Sequence, residues 1–371
     1  MELSYISKTP GIGGTIKNSP EDFIVEEITT SGEILEINKK IEKETKENKF
    51  VHFILQKRDW STSDAIKTIA KKLCISFKRF NFAGTKDKIA ISTQLCSCFG
   101  IEKEEVEQLK IKDIRINGAW YANDKVKLGD LLGNRFTIKV EGVKENAEEI
   151  VNRIYSELNG TIPNYFGEQR FGTTRRNTHI IGEKLVRARL KDAMMTFICD
   201  SEGEEHVEAK LARKELQATG DFETALKKFP THLRLERTVI AHLAENENDF
   251  AGAFRKLPRN ILLLFIHAFQ SHMFNILLSE KIKNVEKSDG NGNIIGYETE
   301  LTKRENELLD ELGIRKEDFK IRSLPEISSK GTKRAWLVEL KDFSFSNNTF
   351  KFSLPAGSYA TVALREFLDE K

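Results

Sequence analysis

RFTIKVEGVKENAEEIVNRIYSELNG, residues 135–160, reads as a strand followed by a helix. Phe136, Ile138 and Val140 alternate with polar residues, the period-two signature of a half-buried strand. From Ala147 the period changes: Ala147, Ile150, Val151, Ile154, Tyr155 and Leu158 fall on one helical face, and Gly160 supplies a residue able to end the helix. A helix with one apolar stripe buries it against a neighbouring sheet. The segment therefore predicts a layered structure of helices on strands.

Working outward, FIVEEI at 23–28 and VHFILQ at 51–56 read as further strands. Ser61 stands three residues before Asp64, and Ala65, Ile66, Ile69, Ala70 and Leu73 follow at helical spacing, so Ser61 is expected to cap an amphipathic helix. After about residue 175 the texture changes. Residues 180–325 are mostly helical and highly charged, as in HVEAKLARKELQATG (206–220) and ETALKKF (223–229), with the longest apolar helix at 259–282. Strand patterns return in AWLVEL (335–340), FSF (343–345) and TFKFSL (349–354), the last two joined through Asn347 and Asn348. This order predicts an α+β domain, residues 1–175 and 335–371, interrupted by a helix-rich module at 176–334. Two sequential domains are the alternative.

Bulk properties limit the classes open to such a chain. Its 371 residues are 39% hydrophobic and 31% charged, with a formal net charge of +2. The longest apolar run, ILLLFI at 261–266, falls far short of the roughly 18 residues a membrane span needs, and MELSYISKTP has neither the basic nor the apolar region of a signal peptide. A cytoplasmic protein with no membrane role is expected. Cys74, Cys96, Cys98 and Cys199 show no CxxC spacing and read as small buried hydrophobes. His267 and His272, five apart, do not share a helical face, and no metal is expected. Asp289, Asn291, Asn293 and Glu300 fall at EF-hand spacings, but Ile294 stands where the loop needs a turning glycine, so this stretch reads as an ordinary flexible loop. GIGG at 11–14 is a weak candidate for a phosphate cradle.

Three segments carry chemistry. In FAGTKDK (82–88), Asp87 sits in a glycine-containing turn between two lysines, whose charges favour the ionised carboxylate that a nucleophile requires; a solvated charged turn has the same composition. PNYFGEQRFG (163–172) gathers an amide, three aromatics and an arginine between glycines. An aromatic there could stack on a base, the amide read its edge and the arginine hold a phosphate, or the rings could anchor a loop to the core. From Arg170 to Lys191, Arg170, Arg175, Arg176, Lys184, Arg187, Arg189 and Lys191 face only one glutamate, Glu183, a stretch suited to phosphates or to a solvated helix face.

FAGTKDKIAISTQ (82–94) and PNYFGEQRFG, in this order, resemble the signature segments of the TruD family of tRNA pseudouridine synthases. Further similarity lies in KNSPEDFIVEE (17–27), LGNRFTI (132–138), HAFQSHMFN (267–275) and LPAGSYATVALREFL (354–368), so it spans nearly the whole chain. The resemblance implies a pseudouridine-synthase catalytic domain, a mixed or antiparallel sheet flanked by helices and circularly permuted relative to other families, with an inserted helix-rich α/β domain. By motif correspondence it implies Asp87 as nucleophile, Lys17 as its ion-pair partner, Phe166 as the ring stacked on the target base and Asn164 as a polar contact. Arg170, Arg175 and Arg176 are the expected phosphate contacts. It further implies tRNA as substrate, with uridine 13 as the usual target and other RNAs as possible ones, and no cofactor, since the reaction is an isomerisation. No obligate protein partner is evident. Two other classes compete: an RNA-binding protein without turnover, which the intact motifs disfavour, and a carboxylate-dependent hydrolase, which leaves the basic stretch unexplained.

Overall fold

The computed structural model describes residues 3–284, 290–369 and 371. They form two compact units: one joins the segment up to Tyr5 with Asn164–Leu337, the other joins Ile6–Pro163 with Val338–Lys371.

The second of these is built on one mixed sheet. Its strands are β1 (Phe23–Ile28), β2 (Phe50–Arg58), β3 (Phe80–Phe82), β4 (Ile91–Phe99), β5 (Ile114–Ala122), β6 (Gly133–Lys139) and a C-terminal hairpin, Lys341–Ser346 with Thr349–Pro355. Across the sheet the hairpin comes first, followed by β6, β1, β4, β2 and β5. β1 and β4 are parallel, Ile24 opposite Ile91; the other described neighbours are antiparallel. β3 pairs with the far half of β4, Phe80 opposite Cys98. Asn347 and Asn348 both have positive φ, 48° and 56°, as a two-residue hairpin turn that follows the strand twist requires.

The helix Thr62–Lys72 starts where the sequence places it, with the Ser61 hydroxyl accepting from the Asp64 amide at 3.1 Å. Its Ala65, Ile66, Ile69 and Ala70 bury against Val51, Phe53, Leu55, Cys96 and Cys98 of the sheet. Fully burying side chains such as Ile66 and Ile69 contributes roughly 1.5–3 kcal/mol each. The helix Ala147–Leu158 ends at Asn159, φ 49°, one residue before Gly160. Asparagine tolerates the left-handed conformation too, so the stop precedes the glycine. GIGG does not cradle phosphate: the amides of Gly11, Ile12 and Gly13 donate to the carbonyls of Asp369, Phe367 and Leu368 at the end of the helix Ala360–Leu368. Three of the four cysteines are buried, but Cys74 is exposed just past the helix Thr62–Lys72.

Gly133 opens β6 where Thr349–Pro355 crosses closest. A Cβ there would lie 2.1 Å from the Leu354 carbonyl oxygen, and backbone cannot swing aside as a side chain can. Gly133→Ala is therefore expected to cost about 1–3 kcal/mol, the usual scale of overpacking, read as a lowered melting temperature. An unchanged melt would show that the hairpin is free to shift.

The Asn164–Leu337 unit is helical. The long helix Arg259–Lys283 is apolar and long enough to cross a membrane by composition, although its longest apolar run in sequence is short; 67% of its most apolar window is buried inside the fold, as in a core helix. Gly182 lets the helix Thr178–Val186 approach it closely, since a Cβ at 182 would meet the Phe265 carbonyl oxygen at 2.0 Å. The stretch expected to be a flexible loop is instead a strand, Asn291–Ile294, paired with Thr332–Ala335. Asp289 lies outside the described residues. Asn293, far from facing a cation, donates to the Glu305 carboxylate at 2.9 Å. AWLVEL is not one strand: it breaks at Trp336 into Thr332–Ala335 and Leu337–Glu339.

Candidate active site

Asp87 lies in the loop between β3 and β4, over the edge of β4 that β1 and β3 share. That loop is anchored at several of its main-chain groups. The Ala83 carbonyl accepts from the Gly129 amide at 2.8 Å, and the Gly84 carbonyl from Gln94 Nε2 at 3.0 Å. The Lys86 amide donates to Thr62 Oγ1 at 2.9 Å, and that hydroxyl donates to Gln94 Oε1 at 2.7 Å. Thr62 and Gln94 are themselves buried. A loop anchored at several main-chain groups holds its side chain in one place, which is what a reacting group needs.

Three lysines converge on the loop, each with a different task. Lys17 Nζ lies 2.6 Å from Asp87 Oδ2, with the carboxylate side chain still 35% exposed and so open to a substrate. The same ammonium sits 4.2 Å from the Phe23 ring centroid, and Lys17 has φ 62°; the ring and the backbone conformation aim it inward. Lys86 turns away from Asp87 and pairs with Glu27 at 2.8 Å, both side chains buried, while donating to Asn134 Oδ1 at 2.6 Å. Lys57, fully buried in β2, donates to the main-chain carbonyl of Asp87 at 2.7 Å. Burial pushes its ammonium down to about 8; the Asp87 carboxylate opposes the shift and Lys86 adds to it. Around one half-exposed carboxylate the protein has thus placed positive charge on the side chain and on the backbone.

The second cluster belongs to the helical unit. Asn164 is buried, its Nδ2 donating to the Ala335 carbonyl at 3.0 Å and its Oδ1 accepting from Arg334 Nη2 at 2.6 Å. The Phe166 main chain is clamped by Asn275, whose Oδ1 accepts from its amide and whose Nδ2 donates to its carbonyl, each at 2.9 Å. The Phe166 ring meets Phe274 edge-on at 5.7 Å, and the guanidinium carbons of Arg334 and Arg170 lie 4.1 and 5.7 Å from its centroid. Arg170 also donates to Ser271 Oγ at 3.2 Å. At the end of the motif Phe171 leans edge-on against His179 and His272, whose rings lie 4.5 Å apart. Burial, reinforced by His272, pushes His179 down to about 4.

Asp87 and Lys17 therefore meet in one unit, and Asn164, Phe166 and Arg170 cluster in the other. Arg175 and Arg176 part company. Arg175, expected with its neighbour on an RNA-facing surface, is turned inward and only 12% exposed. It donates to the carbonyls of Phe197 and Asp200 at 2.8 and 3.1 Å and to Glu236 at 3.3 Å, and burial followed by nearby Arg213 lowers its affinity for a proton. Arg176 stays exposed, forked onto Glu168 at 2.7 and 3.1 Å. Arg175→Met is expected to cost about 2–4 kcal/mol because it leaves buried acceptors unpaired, whereas Arg176→Ala stays within about 0.5 kcal/mol. Equal melting temperatures for the two variants would refute the difference.

Lys57 and Arg334 escape a reading of the sequence. Lys57 lies within a strand, where a lysine signals an exposed edge, and Arg334 stands more than 160 residues from the motif it serves.

Residues 2–295 and 291–367 match the family model described as tRNA pseudouridine synthase D (TruD). The chain is 34% identical to a protein of Methanosarcina mazei named "Probable tRNA pseudouridine synthase D", with 98% of this chain and 95% of that one aligned. It is 38% identical to a Methanococcus vannielii protein of the same name, covering 98% and 97%. A crystal structure from Methanosarcina mazei, also named for tRNA pseudouridine synthase D, superposes with a TM-score of 0.77 at 33% identity over 98% of this chain and 95% of that one.

Proposed function

The chain belongs to the TruD family of tRNA pseudouridine synthases, isomerases that turn uridine into its C5-linked isomer, and we propose that it acts on uridine 13 of tRNA with Asp87 as nucleophile. The observation that carries this reading is the half-exposed Asp87 carboxylate held by Lys17 at 2.6 Å on a loop anchored through its main chain. The catalytic domain in this reading is residues 1–175 and 335–371, permuted relative to other pseudouridine synthases, with 176–334 as the family's insertion; the compact sheet-based unit itself stops at Pro163 and resumes at Val338, which leaves Asn164, Phe166 and Arg170 in the helical unit.

The target nucleotide leaves its stack, because the glycosidic bond is otherwise out of reach. Extrusion costs a few kcal/mol, and stacking of the base on Phe166 returns about 1–3 kcal/mol of it. Asp87 then promotes cleavage of the C1′–N1 bond, with Lys17 holding the carboxylate in place. The uracil turns, C5 bonds to C1′, C5 loses its proton and N1 gains one. Atoms and electrons balance within the substrate, so the reaction draws on no redox partner or energy source.

Asn164 acts in this reading by supporting its neighbours rather than by touching the base: its amide oxygen and nitrogen are engaged by Arg334 and Ala335. Of the paired arginines, Arg176 is the one open to a phosphate, which would displace Glu168. The test is incubation of unmodified tRNA with the enzyme, followed by carbodiimide mapping of pseudouridine. Conversion at position 13 supports the reading; conversion elsewhere in tRNA would refute the target, and binding without conversion would favour an RNA-binding role.

A further inference from the structure

Phe166 does not stand alone. The strand Thr332–Ala335 delivers Arg334 to it, and the neighbouring Trp336 stacks on Phe274 at 4.7 Å with the rings 17° apart. That stack depends on Gly292 across the ladder, where a Cβ would lie 2.2 Å from the Trp336 ring. Phe274 in turn meets Phe166 edge-on. Arg334 completes the assembly in a way no other cation could. Its Nε donates to the Asn164 carbonyl at 2.9 Å and its Nη2 to Asn164 Oδ1 at 2.6 Å, while the guanidinium carbon stays 4.1 Å from the Phe166 ring centroid.

We propose that Arg334 is a positioning residue for base capture: it locks the Asn164 carboxamide and the Phe166 ring into one pre-set unit on which the extruded uracil lands. This deepens the role given above to Phe166 and rests on it. Planarity is the reason for arginine. A guanidinium can hydrogen-bond in its plane to two oxygens of one residue while lying over a ring, whereas a lysine ammonium is a point donor that cannot do both. A ring held before the base arrives is not ordered at the moment of capture, so the arginine acts on the rate at which bound tRNA reacts rather than on how tightly tRNA binds.

The experiment is a double-mutant cycle on Arg334→Met and Phe166→Ala, measuring single-turnover pseudouridine formation at saturating tRNA, tRNA affinity at two salt concentrations, and melting temperature. Arg334→Met is expected to slow conversion by roughly tenfold with tRNA affinity and its salt dependence unchanged, and to add nothing once Phe166 is alanine. Arg334→Lys, which keeps charge and most of the packing, is expected to remain slow, and it carries the test if the methionine variant melts early. Weakened, salt-shallow binding in Arg334→Met would make the residue a phosphate contact and overturn the proposal, as would additive costs or full recovery with lysine. A Phe166→Ala enzyme that converts at the wild-type rate would instead bring down the assignment of Phe166 itself, an outcome separable from any result at Arg334.

Discussion

Asp87→Asn is expected to lower single-turnover conversion by about 10⁴-fold or more, the scale on which loss of a covalent nucleophile acts, while folding and tRNA binding stay near wild type. The substitution keeps shape and volume. It removes the negative oxygen that attacks and the charge that pairs with Lys17. The loop has no need of that charge to stay in place, because its anchors at Ala83, Gly84, the Lys86 amide and the Asp87 carbonyl are all main-chain groups. A residual rate within tenfold of wild type would show that Asp87 is not the nucleophile. Loss of tRNA binding or of the folded state would make it structural.

Lys57→Met is expected to raise the melting temperature and lower the rate together. A buried ammonium brought from an ordinary 10.5 down to about 8 carries a desolvation cost on the order of 3 kcal/mol at neutral pH. The sign follows from proton counting. Between pH 8 and 10.5 the unfolded chain binds the proton and the folded chain has lost it, so wild-type stability rises with pH across that window and the penalty is fully present below it. Methionine fills similar space without the charge and escapes the penalty. It also cannot hold the Asp87 carbonyl, so the nucleophile loosens and turnover falls, by about tenfold to a hundredfold for a misplacement of this kind. Equal rates for the two enzymes at pH 7 would dismiss Lys57 as part of the site.

The sequence made some of this legible and hid the rest for physical reasons. β6, the Ser61-capped helix and the helix at 147–158 were plain because each has one more exposed face and one buried one, so the period shows. β4, the strand that β1, β2 and β3 all join, gave no such signal: Ser92, Thr93, Gln94 and Ser97 are as buried as its apolar residues. Gln94 is spent on steadying the loop that carries Asp87. Buried polar residues thus hide the alternation that would have announced the strand. The pairing of Asp87 with Lys17 and the clustering of Asn164 with Phe166 were reachable through their motifs. Arg175 and Arg176, adjacent and identical in type, were not separable, since which of two arginines turns inward depends on carbonyls at 197 and 200 that only the folded chain brings near. Lys57 and Arg334 bind the backbone of Asp87 and the backbone and side chain of Asn164, and such support carries no local motif.

The placement of the C-terminal hairpin bears on how the protein is made. Thr349–Pro355 lies against β6 with Phe350 opposite Ile138 and Phe352 opposite Phe136, and the whole Asn164–Leu337 unit is synthesised between the two partners. A ribosome producing this chain therefore releases β6 as an open edge long before its neighbour exists, and an open edge invites pairing with other chains. The helical unit, nearly continuous in sequence, can fold while that edge waits. Translation that stalls after residue 337 leaves the edge uncovered for good and takes away Lys341–Ser346 as well. A shortened chain of that kind should be a client for chaperones or proteases rather than a slower enzyme.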